Sequence, residues 1–137
     1  MDIKFRIWDY EMQKMYYSTD DGVLITFDRI GLSIYLINEM RELSNFEIMQ
    51  YTGRKDSQGI EIYDGDILDI LVESYDFAEE FTRNANTKFY VEFDNEVSSF
   101  TIKSKTVNHL YHGFDEVADE NMKVIGNIYE NPKLLEE

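Results

Sequence analysis

Through much of the chain the apolar residues recur at every second position, the period of a half-buried strand rather than of a helix. Ile3, Phe5 and Ile7 alternate with Lys4, Arg6 and Trp8, and predict a half-buried first strand. Asp9 to Gln13 follow as a polar turn. Lys14, Met15, Tyr16 and Tyr17 form a short aromatic run that reads as a second strand. Asp20, Asp21 and Gly22 signal a turn, because glycine adopts positive φ at little cost. Residues 23–27 and 32–37 read as two further strands, with Gly31 between them. Residues 38–46 are ambiguous: Glu39 to Leu43 fit one helical turn or an irregular connection. Strand character returns over 47–51, followed by a polar loop over 52–59 (TGRKDSQG) and a short strand over 60–63. Asp64, Gly65 and Asp66 make a turn, and 67–72 read as a buried strand.

Residues 73–87 break this pattern. Tyr75, Phe77, Ala78 and Phe81 have rough helical spacing, and Asn84, Asn86 and Thr87 close the stretch, which predicts an insertion that is part helix and part loop. Residues 88–93 and 99–103 alternate around Asp94 and Asn95 and predict a hairpin. Residues 107–111 suit another strand, and 114–122 a short helix or a loop. A last strand over 122–129 is interrupted by Gly126 and Asn127 and stopped by Pro132, the one proline. Many short strands with turn signals every 8–12 residues predict a mainly β fold, a small roll or barrel. The expected organisation is one domain over 1–137, with an N-terminal β-hairpin region over 1–49 and a barrel-like part over 50–137 that carries the insertion near 73–87.

Composition narrows the function classes. The chain has 137 residues, 43% hydrophobic and 15% aromatic, enough for a folded core. No apolar run approaches the roughly 18 residues of a membrane span. The N-terminal sequence MDIKFRIWDYE lacks the apolar stretch of a signal peptide, so a cytoplasmic protein is expected. Cysteine is absent, which removes disulfides, thiolate nucleophiles and Cys-ligated metals. The 28 acidic and 13 basic residues leave a net charge of -15. Residues 1–49, 50–72, 73–100 and 101–137 are each net negative, so the charge is spread and forms no acidic tail. Direct nucleic-acid binding is disfavoured, because it needs clustered Lys and Arg. The nearest approaches, Arg54 with Lys55 and Lys103 with Lys105, are small and flanked by acids.

Catalytic signatures are sparse. No G-x-S-x-G elbow and neither glycine-rich phosphate motif occurs. His109 and His112, with Asp115, would approach a metal site only on a helix, and Leu110 and Tyr111 between them favour strand or loop; two surface histidines are the plainer expectation. Asp64, Asp66 and Asp69 could hold a hard cation. Their plainer use is local: Asp64 and Gly65 build the turn, and Asp66 accepts backbone N–H groups. No cofactor and no metal is expected. The aromatics Trp8, Tyr10, Tyr16, Tyr17, Tyr51, Tyr63, Tyr111 and Tyr129 suit a recognition surface or a core, and core is the expected use of most. Tyr51 and Tyr63 flank the 52–59 loop and are the preferred exposed binding candidates, with Arg54, Lys55 and Asp56 as their polar companions, since loops on rigid scaffolds carry function disproportionately.

Three segments in this order resemble the YopX family of small phage and prophage proteins. They are Lys4-Phe5-Arg6-Ile7-Trp8-Asp9, then Met49-Gln50-Tyr51-Thr52-Gly53-Arg54-Lys55-Asp56 continuing through Gly59, Glu61-Ile62-Tyr63 and Asp64-Gly65-Asp66-Ile67, and last Val124-Ile125-Gly126-Asn127-Ile128-Tyr129-Glu130-Asn131-Pro132. Residues 10–46 and 73–121 match only in length and β character. Arg54 stands where the family more often has Leu, and Asp64 where it often has Glu. The resemblance implies a phage or prophage origin, hence the cytoplasm of a bacterial host. It also implies a later part like an SH3-type barrel, in which Asp64-Gly65-Asp66-Ile67 opens a strand and residues 124–129 close the barrel. It implies no activity, cofactor or catalytic residue.

These readings converge on a non-enzymatic accessory protein that binds a host or phage protein or a second copy of itself. The alternatives are an acidic mimic of DNA that inhibits a nucleic-acid-binding host protein, and, behind both, a metal-dependent enzyme. An open strand edge in a small β domain must be covered or paired, so a homo-oligomer is among the expectations.

Overall fold

A computed structural model of the chain describes residues 3–76, 79, 81–104 and 113–136, with backbone alone at 73–76 and 81–83. The alternating pattern becomes eleven strands among the described residues, joined by tight turns and four short 3-10 turns. The fold is mainly β, with a curled half-barrel sheet and further antiparallel sheets. The chain divides into two units, Met1–Tyr51 and Thr52–Glu137.

In the first unit β1 (Phe5–Asp9) pairs with β2 (Lys14–Tyr17) on one side and with the start of β6 (Phe46–Lys55) on the other. A central strand is covered on both faces, and that overrides the alternation in its sequence. Arg6, Ile7, Trp8 and Asp9 are all buried, so the strand is buried on both faces and not half-buried as the alternation predicts. The hairpin of β3 (Val23–Asp28) and β4 (Gly31–Leu36) continues to the two-residue β5 (Arg41–Glu42) and makes a separate three-stranded sheet. The ambiguous stretch after β4 is a 3-10 turn, Ile37–Glu39, closed by Met40 at φ 50°. Ile7, Tyr16, Ile34, Leu36 and Leu43 form this unit's core, with Val23 and Ile25 packed at its margin.

In the second unit the end of β6 pairs with β7 (Glu61–Tyr63). A second sheet has the order β10-β9-β8-β11, from β8 (Asp66–Asp76), β9 (Phe81–Asp94), β10 (Ser99–Lys103) and β11 (Met122–Asn127). Ile62, Leu68, Ile70, Phe89, Val91, Phe114 and Met122 make its core. The hairpin expected around Asp94 and Asn95 is present, with Ser99 opposite Asp94. The part-helical insertion expected over 73–87 is not. Its described residues continue β8 and β9 in one uninterrupted register, from Val72 opposite Ala85 to Asp76 opposite Phe81. Backbone pairing with the neighbouring strand supplies what the side-chain pattern does not show. Residues 114–122 are two 3-10 turns before β11 rather than a helix of any length. The strand expected over 107–111 lies outside the described residues.

Candidate functional site

The polar loop proposed as a site is shorter than its composition suggests. Residues Thr52 to Lys55 still belong to β6, and the turn proper is 56–60. Its hydrogen bonding explains why the chain reverses there. Asp56 N–H donates to the Ile60 carbonyl at 2.8 Å, and Gly59 N–H to the Asp56 carbonyl at 3.1 Å. Gly59 has φ +80°, which glycine tolerates without strain. The Asp56 carboxylate finishes the turn: Oδ1 accepts from Gln58 N–H at 2.8 Å and Ile60 N–H at 2.9 Å. Its Oδ2 accepts from Val124 N–H on β11 at 2.9 Å, and Ser57 N–H donates to the Met122 carbonyl at 2.9 Å. The turn is thereby fastened to the last strand at two points.

These bonds set the titration of Asp56. Burial opposes its ionisation, but the amides of Val124, Ile60 and Gln58 and the charge of Lys123 outweigh burial and hold its carboxyl below the ordinary aspartate value. A carboxylate so fully engaged organises backbone and is not offered to a partner.

Arg54 is committed as well. Its guanidinium lies 4.7 Å from the centre of the Phe114 ring, donates to the Phe114 and Val117 carbonyls, and pairs with Asp119 through Nη2 and Nε. A planar five-donor fork suits that set of acceptors. Arg54 therefore binds segment 114–119 to β6.

The two aromatic flanks were expected to be exposed, and both are buried: Tyr51 at 6% and Tyr63 at 3% exposure. Tyr51 lies within β6, not beside a loop, and carries the Lys4 ammonium 5.4 Å from its ring centre. Tyr63 ends β7, and its N–H donates to Asp66 Oδ2 at 2.8 Å, the local role expected of that aspartate. Of the five candidates only Lys55 is exposed. What the structure brings together is Arg54 and Lys55 at the end of β6 and Asp56 at the head of the braced turn, and the outward side chains over 55–60 are Lys55, Ser57, Gln58 and Ile60. Ile60, 51% exposed, is the member that sequence reasoning passed over. Its signal was its place at the loop's end, before the alternation of β7 resumes.

Among the described residues no three His, Asp or Glu side chains come together to hold a metal. Asp69 sits in register between Lys88 of β9 and Lys123 of β11, and Asp66 is taken up by Tyr63 N–H. His109 and His112 lie outside the described residues. The first unit holds a charged network the sequence did not announce. Asp9, fully buried, accepts from Arg41 at 2.8 Å, Arg41 also reaches Glu39 at 3.5 Å, and Tyr16 O–H donates to Glu39 at 2.8 Å. Burial first, then the bond to Glu39, raises the Tyr16 hydroxyl above its ordinary value. Such a hydroxyl stays protonated and serves as a donor. No helix of the described residues is long and apolar enough to cross a membrane.

A family model described as YopX protein matches residues 4–136. The fold is similar to the crystal structure of protein EF1440 from Enterococcus faecalis, with a TM-score of 0.54 and 23% identity over 98% of this chain and 99% of that one. A search of curated proteins gives no match.

Proposed function

The chain belongs to the YopX family, and on that premise we propose that it is a non-enzymatic phage or prophage accessory protein that binds another protein through the braced turn at 55–60. In this reading the second unit is an SH3-type scaffold and the turn is its display element. The observation that carries the reading is the engagement of Asp56 by three backbone amides, two within the turn and one on β11. A turn already fixed in the free protein loses little freedom when it binds, and this lowers the entropic cost of recognition. It presents one cation, a small polar pair and one apolar side chain, which suits a partner surface of mixed character.

The test is a capture experiment with two proteins of equal fold, the natural chain and a Lys55→Glu, Ile60→Ser variant. Both positions are exposed, so the variant should keep the circular-dichroism spectrum and melting temperature. Each is immobilised and challenged with cleared bacterial lysate, then eluted in steps of salt. A defined protein retained by the natural chain and lost by the variant is the expected result. Equal capture by both sinks the turn as the site. A basic nucleic-acid enzyme released from both at moderate salt favours the DNA-mimic alternative, since an acidic surface would then be the recognised feature.

A further inference from the structure

We infer that the outer edge of β3 is a self-association surface, at which two copies of this chain pair antiparallel about a twofold axis through Ile25. The inference concerns the first unit and does not rest on the turn at 55–60.

It starts from hydrogen-bond parity. Ile37 N–H donates to the Gly22 carbonyl at 2.8 Å, which makes Gly22 and Ile37 a bonded pair. The register then runs without a shift from Val23 opposite Leu36 to Asp28 opposite Gly31. Bonded and non-bonded pairs alternate along an antiparallel ladder, so Leu24, Thr26 and Asp28 spend their backbone groups on β4. Ile25 and Phe27 turn theirs outward, and the Val23 carbonyl points the same way, while Val23 N–H closes the preceding turn on the Asp20 carbonyl at 3.5 Å. β3 is the edge of its sheet, with no strand beyond it among the described residues.

Edges of this kind are normally blunted by Lys, Pro, a bulge or extreme shortness. β3 is six residues, VLITFD, with no Lys, Arg or Pro and no bulge. Its side chains add to the anomaly. Val23 and Ile25 pack at the margin of the first unit's core, but Phe27, on the same face, is 82% exposed. At the hairpin tip Ile30 is 97% exposed, on a turn held by Asp28 Oδ1 accepting from Ile30 N–H at 2.8 Å. An exposed apolar edge beside two large exposed apolar side chains is unusual for a surface left to water.

The sequence of the edge selects the occupant. With Ile25 opposite Ile25 of a second copy, Val23 falls opposite Phe27 and Phe27 opposite Val23. All three outward-facing residues then find outward-facing partners. Side chains opposed in a ladder share a face, so each Phe27 comes to lie beside the other copy's Val23, at the margin of its core. The same register carries Asp21 of each copy toward Arg29 of the other, at both ends of the pairing. Both are exposed. The edge is thus complementary to itself in hydrogen bonding, in apolar contact and in charge, as a twofold interface must be.

The test is sedimentation velocity across a concentration series, on the natural chain and on four variants at exposed positions: Asp21→Arg, Arg29→Asp, the two combined, and Phe27→Lys. The natural chain should form a dimer. Each single charge reversal occurs twice per dimer and should weaken it about tenfold, while the combined swap restores it. Phe27→Lys should abolish it with the monomer's melting temperature unchanged. Hydrogen exchange supplies a second readout: the amides of Ile25 and Phe27 should gain protection as concentration rises, while those of Leu24 and Thr26 stay constant. A natural chain that remains monomeric into the millimolar range overturns the inference. So does a dimer indifferent to Phe27→Lys, or one that the combined swap leaves as weak as the single reversals.

Discussion

The two carboxylate oxygens of Asp56 serve three amides, and the turn at 56–60 depends on them. Hydrogen bonds to an ionised group contribute about 1.5–3 kcal/mol each when they form, and less where water can replace the lost partner. Gln58 and Ile60 are exposed and Val124 is half-buried, so their amides are partly rehydrated when the carboxylate is removed. Asp56→Ala should therefore cost about 2–4 kcal/mol in denaturant unfolding at pH 7. Asp56→Asn should lie between, since it retains one acceptor. The pH dependence follows from the direction of the shift. The folded carboxyl titrates below the unfolded one, so its contribution is full above the unfolded value and is lost as pH falls toward the folded value. The gap between the natural chain and Asp56→Ala should be constant near neutrality and narrow below about pH 4. A gap that stays level down to pH 3 would show that the carboxylate does not brace the turn.

At the scale of elements, Arg54 decides whether segment 114–119 stays in place. That segment is two short 3-10 turns, which carry little stability of their own. Four bonds from one guanidinium, and its contact with Phe114, tie the segment to β6. Arg54→Lys should fail to replace it, because an ammonium cannot meet this fork of acceptors. Both Arg54→Ala and Arg54→Lys should speed amide exchange at Val117 and Asn121 by about tenfold or more, with β8 and β9 core amides unchanged. Exchange left at the natural rate in Arg54→Lys would reduce Arg54 to a point charge. The elements legible in the sequence are those whose one buried face imprints period two, such as the end of β9 around Phe89 and Val91, or those set off by turn residues, such as β3 and β4 on either side of Gly31. Those misread follow a physical rule. Leu71 and Val72 pair with Asn86 and Ala85, and Asn84 to Asn86 are exposed, so no buried face writes an alternation there and only pairing with the neighbouring strand makes β. β1 fails in the opposite sense, being buried on both faces. Tyr51 and Tyr63 misled because nearness to a polar loop along the chain says nothing about depth. Arg54 is meaningful only with segment 114–119 beside it, 60 residues or more further along the chain.

The charge belongs to the whole molecule. At -15 and an isoelectric point near 4.4, two copies repel at neutral pH whatever their contact surfaces do. Self-pairing at β3 sets this long-range repulsion against local gains: four backbone hydrogen bonds, two Phe27 contacts and two Asp21–Arg29 pairs. Salt separates the two kinds of term. The Debye length falls from about 30 Å at 0.01 M to about 8 Å at 0.15 M, so repulsion between surfaces spread over a whole molecule collapses across that range. Hydrogen bonds and apolar contacts in the interface are nearly indifferent to it. The two exposed ion pairs weaken, but each contributes only about 0.2–1 kcal/mol at the outset. Repulsion is the larger salt-dependent quantity, and dimerisation should tighten by about tenfold or more between those two concentrations. Sedimentation velocity at both salts reads this directly. In the Asp21→Arg, Arg29→Asp combined variant, whose net charge is unchanged, the salt response should have the same sign and size. A dimer that loosens as salt is added would mean that the four charges at its ends outweigh the thirty units of net charge carried by the pair.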